Sequence, residues 1–496
     1  MDSYYFSEEH QMFRTSLRAF LDREVKPFID EWEEQQQIPK DLWPKFAEMG
    51  YLGLNYPEKY GGLDLDFFFS VIFVEEISRC FSGGFAVNLM VQQYMASPYI
   101  FHHGSEALKQ KYLTRAIAGQ AVSSIAISEP GAGSDVANIQ TRAIRQGDHY
   151  VVNGSKTFIT NGVYGDFLVT VVKTDPDAGV AGISLLVIDR EAEGVSATKL
   201  KKLGWHASDT AELAFDNVRV PVENLLGEAG KGFYYLMGGL QLERLIGAIA
   251  GVAGAQHALE YALQYMSERH AFGRPINKFQ VLRHRVADLS TEIESAKAFV
   301  YQCSRMHNDG HYAVKECSMA KLLATELADK AMYQCLQFFG GYGFIEEFKI
   351  ARMFRDSRVG TIGGGTSEIM REIIAKMVID DQRYDEAADQ HGTALASGAD
   401  LTETTEVVKE RAGQAPAIGS RIKFSFAEGA ILLDGTGGEN KVSNQDEDAQ
   451  CTIGVDLQDF QALLDGSLSP MNAFMAGKFD VQGDMSLAMK LNQIFG

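Results

Sequence analysis

The sequence is short of the features that mark several functional classes. Its five cysteines, Cys80, Cys303, Cys317, Cys335 and Cys451, are odd in number and form no C-x-x-C pair. A disulfide framework and a structural zinc site are both disfavoured, no metal site is expected, and a reducing compartment fits. No block of Lys and Arg interrupts a chain whose net charge is −20. That argues against nucleic-acid binding and leaves an anionic ligand only a local basic or amide-lined site. No run of about eighteen apolar residues occurs, so no membrane span is expected. The N-terminal "MDSYYFSEEH" is acidic and lacks an apolar or arginine-rich leader, so the expected location is cytoplasmic. "GEAGKGF" has no Ser or Thr after its lysine, no G-x-G-x-x-G follows a strand, and "NQDEDAQ" lacks calcium-loop spacing.

What the 496 residues do contain is a soluble globular composition, 46% hydrophobic and 23% charged, in several segments of distinct texture. Residues 1–120 read as helices. "EEHQMFRTSLRAFLDREV" carries Met12, Phe13, Leu17, Phe20 and Leu21 at helical spacing, and "GGLDLDFFFSVIFVEEISRC" is apolar enough to be buried on several sides. Residues 121–235 are rich in alternating Val, Ile, Thr and Phe. The Asn153-Gly154 and Asn161-Gly162 pairs signal hairpins, and "AELAFDNVRVP" is a further strand, so an antiparallel β domain is expected. Residues 236–380 return to helices: a long one rich in small residues, then patterns at 279–308, 312–339 and 367–381. A polar linker, 381–395, leads to a small module over 396–496. There a helix near 401–412, the strands "RIKFSFAEGAILLDG", "AQCTIGVDL" and "KFDVQG", and helices at 457–466, 470–476 and 484–495 are expected. Residues 400–496 hold 7 Lys and Arg against 15 Asp and Glu, so charge does not draw this module to anionic membranes.

Two glycine-bearing stretches stand out. "TIGGGTSEIM" sets three glycines before a helix start that Thr366 or Ser367 can cap, with Glu368 in the first turn. Glycines in a row cost backbone entropy, which points to a close approach of something to the backbone. "ISEPGAGSDV" stands at the entrance to the β domain.

Together with "NGSKTFITNG", "LKKLGWHASDTAELAFDNVRVP", "SERHAFGRPI" and "QFFGGYGF", these stretches resemble the acyl-CoA dehydrogenase family in order and spacing through about residues 5–380. The resemblance implies a multidomain α+β fold: an all-α N-terminal domain, a β-barrel or sandwich, a four-helix bundle, then the small C-terminal α/β module. It also implies FAD, an acyl-CoA substrate, an electron-transfer flavoprotein as electron acceptor, and a homodimer or homotetramer. Carried over by position, Ile125, Ile127 and Ser128 would line the flavin. Gly133 and Ser134 would lie by flavin and acyl-CoA, Phe158 beside the ring system, and Thr160 at its reactive edge. Arg269, Phe272, Gln280, Gln337 and Gly341 would reach the FAD of a neighbouring subunit, and Thr366 and Glu368 its diphosphate or adenosine end.

In medium-chain members the base that removes the α-proton is a glutamate just before the Gly-Thr-Ser; here that position is Gly364. The alternative is Glu243 in "LQLERLIGA", flanked by Leu240, Leu242, Leu245 and Ile246. Such surroundings desolvate a carboxylate and raise its pKa. Isovaleryl-CoA and long-chain dehydrogenases resemble this sequence in placing their base in a Glu-Arg here. Glu243 is therefore the expected base, Arg244 orders the site on a different face of the helix, and Gly364 leaves room for substrate. Many members carry an acid where Gln241 stands.

The last hundred residues resemble the sterol carrier protein lipid-binding domain, an antiparallel sheet covered by helices around an apolar tunnel. Phe460, Phe474, Met475 and Met489, with Met471 and Met485, are candidate tunnel residues. Two readings compete with an acyl-CoA dehydrogenase: an oxidase on the same scaffold and a non-catalytic acyl-CoA or lipid carrier.

Overall fold

The computed structural model describes residues 2–380, 382, 401–414, 417–426, 429–464 and 480–483. The chain divides into two compact units, Met1–Gly392 and Thr393–Gly496.

The first unit opens with helices. Ser7 starts Glu8–Glu24 by a capping box: its hydroxyl accepts from His10 N while the His10 ring accepts from Ser7 N. The helix buries His10, Leu17, Phe20 and Leu21. Met12, expected on the same face, is 72% exposed. At about 100° per residue it sits roughly 140° from Leu17, on the far side of the helix. Phe67–Ser78, capped by Asp66, buries ten of its twelve residues, Glu76 among them. Arg14 and Arg18 reach Glu76 from the first helix at 3.0 and 2.7 Å and neutralise it.

The β domain has eight strands: β1 Ser123–Ala126, β2 Arg142–Gln146, β3 His149–Ile159, β4 Phe167–Lys173, β5 Ile183–Asp189, β6 Val195–Lys199, β7 Ala211–Pro221 and β8 Leu225–Leu226. Their order is β6-β7-β3-β2-β4-β5-β8, with β1 on β4. Most pairs are antiparallel, but β1 and β2 both run parallel to β4, so the sheet is mixed. Neither Asn-Gly pair makes a hairpin. Asn153-Gly154 lies inside β3 at a register shift against β7. Glycine is needed there because a Cβ would stand 2.5 Å from Thr141 Oγ1 and 2.7 Å from its Cα. The β2–β3 turn is at Gly147-Asp148 instead, with Gly147 at φ +65°. Asn161 follows β3 at φ +60°, but β3 is flanked by β2 and β7, so the chain there leaves for β4 without pairing.

Helices Gly232–Glu268, Gln280–Asn308, Val314–Phe339 and Ser367–Val378 make the bundle, with the short hairpin β9 His270–Ala271 and β10 Arg274–Pro275 after the first. Gly232–Glu268 is, among the described residues, the one helix long and apolar enough to cross a membrane by length and composition. It is a core helix here, burying Leu245, Ile246, Ala248, Ala255 and Ala258 completely. Gly251 lets it approach Val314–Phe339, since a Cβ would lie 3.0 Å from Ala324 O.

In the second unit, β11 Arg421–Phe426, β12 Gly429–Asp434, β13 Lys441–Ser443, β14 Cys451–Gly454 and β15 Asp480–Gly483 order as β13-β12-β11-β14-β15. The sheet is not antiparallel throughout: β14 comes in parallel to β11, because the β12–β13 meander occupies the other side. Helices Leu401–Gln414 and Leu457–Leu464 accompany it. The expected helices at 470–476 and 484–495 lie outside the described residues.

One charged pair is sealed in the first unit. Lys156 on β3 donates to Glu129 Oε1 at 2.8 Å and to Ile127 O at 2.9 Å. Glu129 also accepts from Gln140 N at 2.5 Å and Thr141 N at 3.0 Å. Burial pushes this carboxyl up, but Lys156 and the amides outweigh it and hold it below the usual range. Lys156→Ala leaves Glu129 buried without its cation. By calorimetry it is expected to destabilise the first unit by about 3–5 kcal/mol, and a loss below about 1 kcal/mol would mean water replaces the amine.

Candidate active site

Where the β domain, the N-terminal helices and the bundle meet, a cavity of about 350 Å³ opens. The N-terminal helical domain lines it through Phe81, Ala86 and Met90, and Val314–Phe339 through Lys321 and Met332. From the β domain come Ile125, Ile127, Ser128, Phe158 and Thr160; from the long helix, Glu243 and Arg244; from the loop before Ser367–Val378, Gly363 and Gly364.

The β wall is fixed by the chemistry just described. Lys156 holds the Ile127 carbonyl and the Glu129 carboxylate, which seats Ile127 and Ser128 on the cavity. The Ser124 hydroxyl donates to Thr160 O, tying the end of β3 to β1. Phe158 has φ +63° and is 70% exposed. A bulky residue in the left-handed region is strained, and such strain gathers at functional sites.

The long helix presents Glu243, 9% exposed, with Tyr99 Oη donating to its Oε1 at 3.0 Å. Burial pushes the Glu243 carboxyl up to about 7, against the opposing effects of the Tyr99 hydrogen bond and the Arg244 charge. Burial first, and then the neighbouring Glu243, push the Tyr99 phenol well above its usual range, so it stays a donor. A Cβ at Gly239 would stand 2.3 Å from Tyr99 Oη, so the helix carries glycine where the phenol enters. Arg244 lines the same cavity as Glu243 although adjacent side chains diverge by about 100°, because the cavity wraps far enough around the helix to meet both. Gln241 accepts from Arg244 Nη1 at 3.1 Å, which orients the guanidinium.

Gly364 lines the same cavity as Glu243 at φ +64°, and a Cβ there would meet nothing within 4 Å. Gly365, at φ +92°, is packed: a Cβ would lie 2.7 Å from Met370 Cε. Lys321 donates to Gly365 O at 2.5 Å and so pins the loop, while burial lowers this amine's pKa to about 8. Thr366 caps the following helix through Ile369 N.

Other sequence candidates lie elsewhere. Gly133 and Ser134 are exposed and do not line the cavity. Arg269, Gln337 and Gly341 share a second cleft with Tyr265 and Tyr342. Phe272 is 95% exposed beside the β9–β10 turn, and Gln280 and Glu368 are exposed at helix starts. In the second unit Phe460 is 1% exposed and packs on Phe424 at 4.5 Å, within that unit's core. Phe474, Met475 and Met489, like Met471 and Met485, lie outside the described residues.

Several cavity residues gave no sequence signal. Tyr99 and Lys321 act at 144 and 44 residues' separation, and nothing local announces either. Asp356 does the same between domains, accepting from Gly83 N at 2.9 Å and Trp205 N at 2.6 Å, with its carboxyl pushed up to about 6 by burial and by Glu33.

The donor set fits a flat aromatic cofactor with a diphosphate: an apolar β wall with an open ring, and a buried Ser367 Oγ without a partner at the start of a helix. Family models for the acyl-CoA dehydrogenase N-terminal, middle and C-terminal domains match residues 7–120, 124–218 and 230–379, and the SCP-2 sterol transfer family matches 405–496. The rat (Rattus norvegicus) protein named long-chain specific acyl-CoA dehydrogenase, mitochondrial, is 39% identical over 381 residues, 76% of this chain and 88% of its own. A Geobacillus kaustophilus acyl-CoA dehydrogenase structure superposes with a TM-score of 0.74 at 45% identity, covering 76% of this chain and 99% of that one. A Mycobacterium smegmatis glutaryl-CoA dehydrogenase in complex with FADH₂ gives a TM-score of 0.72 at 25% identity, over 77% and 97% of the two chains. With its helices, β domain and bundle meeting at this cavity, the chain belongs to the acyl-CoA dehydrogenase family and carries a C-terminal SCP-2-type region.

Proposed function

We propose that the protein removes two hydrogens from the α and β carbons of an acyl-CoA thioester, giving a trans-2-enoyl-CoA, with Glu243 as the base. The observation that carries this reading is a carboxylate, 9% exposed and pushed up by burial, in a cavity where a glycine stands at the alternative position. FAD, when bound, takes up the hydride from the β carbon. Ile125, Ile127, Ser128, Phe158 and Thr160 hold its ring system, and Thr366 and Glu368 its far end. Arg269, Phe272, Gln280, Gln337 and Gly341 serve the FAD of a neighbouring subunit in a homodimer or homotetramer, which gives the 95% exposed Phe272 an occupant. Gly133 and Ser134 lie by the acyl-CoA, and an electron-transfer flavoprotein is the electron acceptor.

Glu243 takes the α-proton. Its desolvation makes the carboxylate a stronger base than one in water, and Tyr99 holds one oxygen so that the other faces the substrate. Arg244, oriented by Gln241, supports the same wall. Gly364 leaves room in the cavity for the acyl group.

Glu243→Gln is expected to keep FAD bound while slowing anaerobic bleaching of the flavin by saturated acyl-CoAs about 10²–10⁴-fold. Bleaching at the unaltered rate refutes the base assignment. The base works only when deprotonated, so kcat/KM for the unaltered enzyme should rise with pH through about 7 and level off above it. A profile flat from pH 5 to 9 would contradict a base in this environment.

The SCP-2-type region, with Phe460, Phe474, Met475 and Met489 as candidate lipid contacts, raises the local concentration of a poorly soluble acyl-CoA near the cavity. Truncation after residue 390 should raise KM on long-chain substrates and leave short-chain rates unchanged. An unaltered long-chain KM would rule out delivery.

A further inference from the structure

The cavity extends well beyond Glu243. On the long helix, Glu243, Gly247, Gly251 and Gly254 are spaced by four, four and three residues, and all four line it. That spacing puts them on one side of the helix. At Gly247 a Cβ would meet nothing within 4 Å, and at Gly254 the nearest atom would be Met332 Cε at 3.6 Å. The helix thus puts no side chain into the cavity at Gly247 and Gly254, where a groove is left, while at Gly251 it closes on Val314–Phe339, 3.0 Å from Ala324 O to a Cβ there. From Glu243 to Gly254 it runs roughly 16 Å at about 1.5 Å per residue. An extended chain advances about 1.25 Å per bond, so this length takes about a dozen carbons.

The groove ends at Phe81. This residue also lines the cavity, and it holds φ +60°. Its ring lies 4.3 Å from that of His257, three residues beyond Gly254, and 5.4 Å from that of Tyr261. A bulky residue kept in the left-handed region must be over-determined by its surroundings, and such outliers point to function. Burial lowers the His257 pKa to about 4, so the ring behind Phe81 is neutral and the end wall is apolar.

We propose that Phe81 is the floor of the acyl-chain groove and fixes the longest acyl chain the enzyme accepts in full, on the reading that Glu243 marks the α-carbon. Ala86 and Met90 form part of the facing wall, small and adaptable respectively, so the chain passes them and stops at the Phe81 ring.

The test measures binding, so that it does not depend on turnover. In the FAD-loaded Glu243→Gln protein, calorimetric Kd values are measured for saturated acyl-CoAs from four to twenty carbons. Each methylene entering the groove should tighten Kd about fourfold, and the gain should cease at one chain length. Adding Phe81→Ala should move that break to longer chains. Adding Gly254→Leu should move it to shorter ones, and this second variant decides the matter if Phe81→Ala fails to fold. A break that neither variant moves overturns the assignment of Phe81. Full flavin bleaching in Glu243→Gln alone overturns the base instead, so the two failures are distinguishable.

Discussion

The close contact of two helices governs this structure. Gly232–Glu268 and Val314–Phe339 approach through Gly251 and Ala324, and a side chain at Gly251 would force them apart. The longer helix begins against β5, where a Cβ at Gly232 would stand 2.5 Å from Ser184 C. It then runs about 55 Å through the bundle. One rigid element therefore ties the β domain to the bundle and carries the proton acceptor. The groove exists because Gly247 and Gly254, on either side of the close contact at Gly251, leave room beside it.

Charge is buried around that element by pairing and by backbone donors. Glu129 meets Lys156 and two amides, Asp356 meets the amides of Gly83 and Trp205, and Arg244 meets Gln241. Glu243 differs from these. Its hydrogen bond comes from Tyr99, a neutral phenol, and burial raises its carboxyl to about 7. A buried carboxylate whose hydrogen bond comes from a neutral donor is tuned as a base for work near pH 7.

Much of the architecture was legible in sequence because it rests on local periodicity. The helical segments, the alternation of β7 and the small-residue character of the long helix all follow from spacing. The turns were misread where glycine served another purpose. Asn153-Gly154 has the hairpin signature, yet Gly154 is there to admit Thr141 against the strand. At the site, Glu243 stood out through its apolar neighbours together with Gly364, and the remaining candidates came from motif resemblance. Tyr99, Lys321 and Asp356 were invisible because each meets a partner far along the chain, Tyr99 and Asp356 in another domain, and no short window contains both partners. Met12 shows the opposite failure, an apolar residue at apparently helical spacing that faces water.

The Gly363–Gly365 turn has a further consequence. Gly364 bears no reacting group, and the turn is held through its backbone: Gly363 N donates to Val359 O at 2.8 Å and Lys321 donates to Gly365 O. Proton transfer belongs to a helix fixed by its packing, while another part of the cavity wall belongs to a turn that puts no side chain into it. Chemistry and substrate range are thus separately heritable: a lineage can reshape which acyl groups enter by altering the turn, without displacing the atom that does the work.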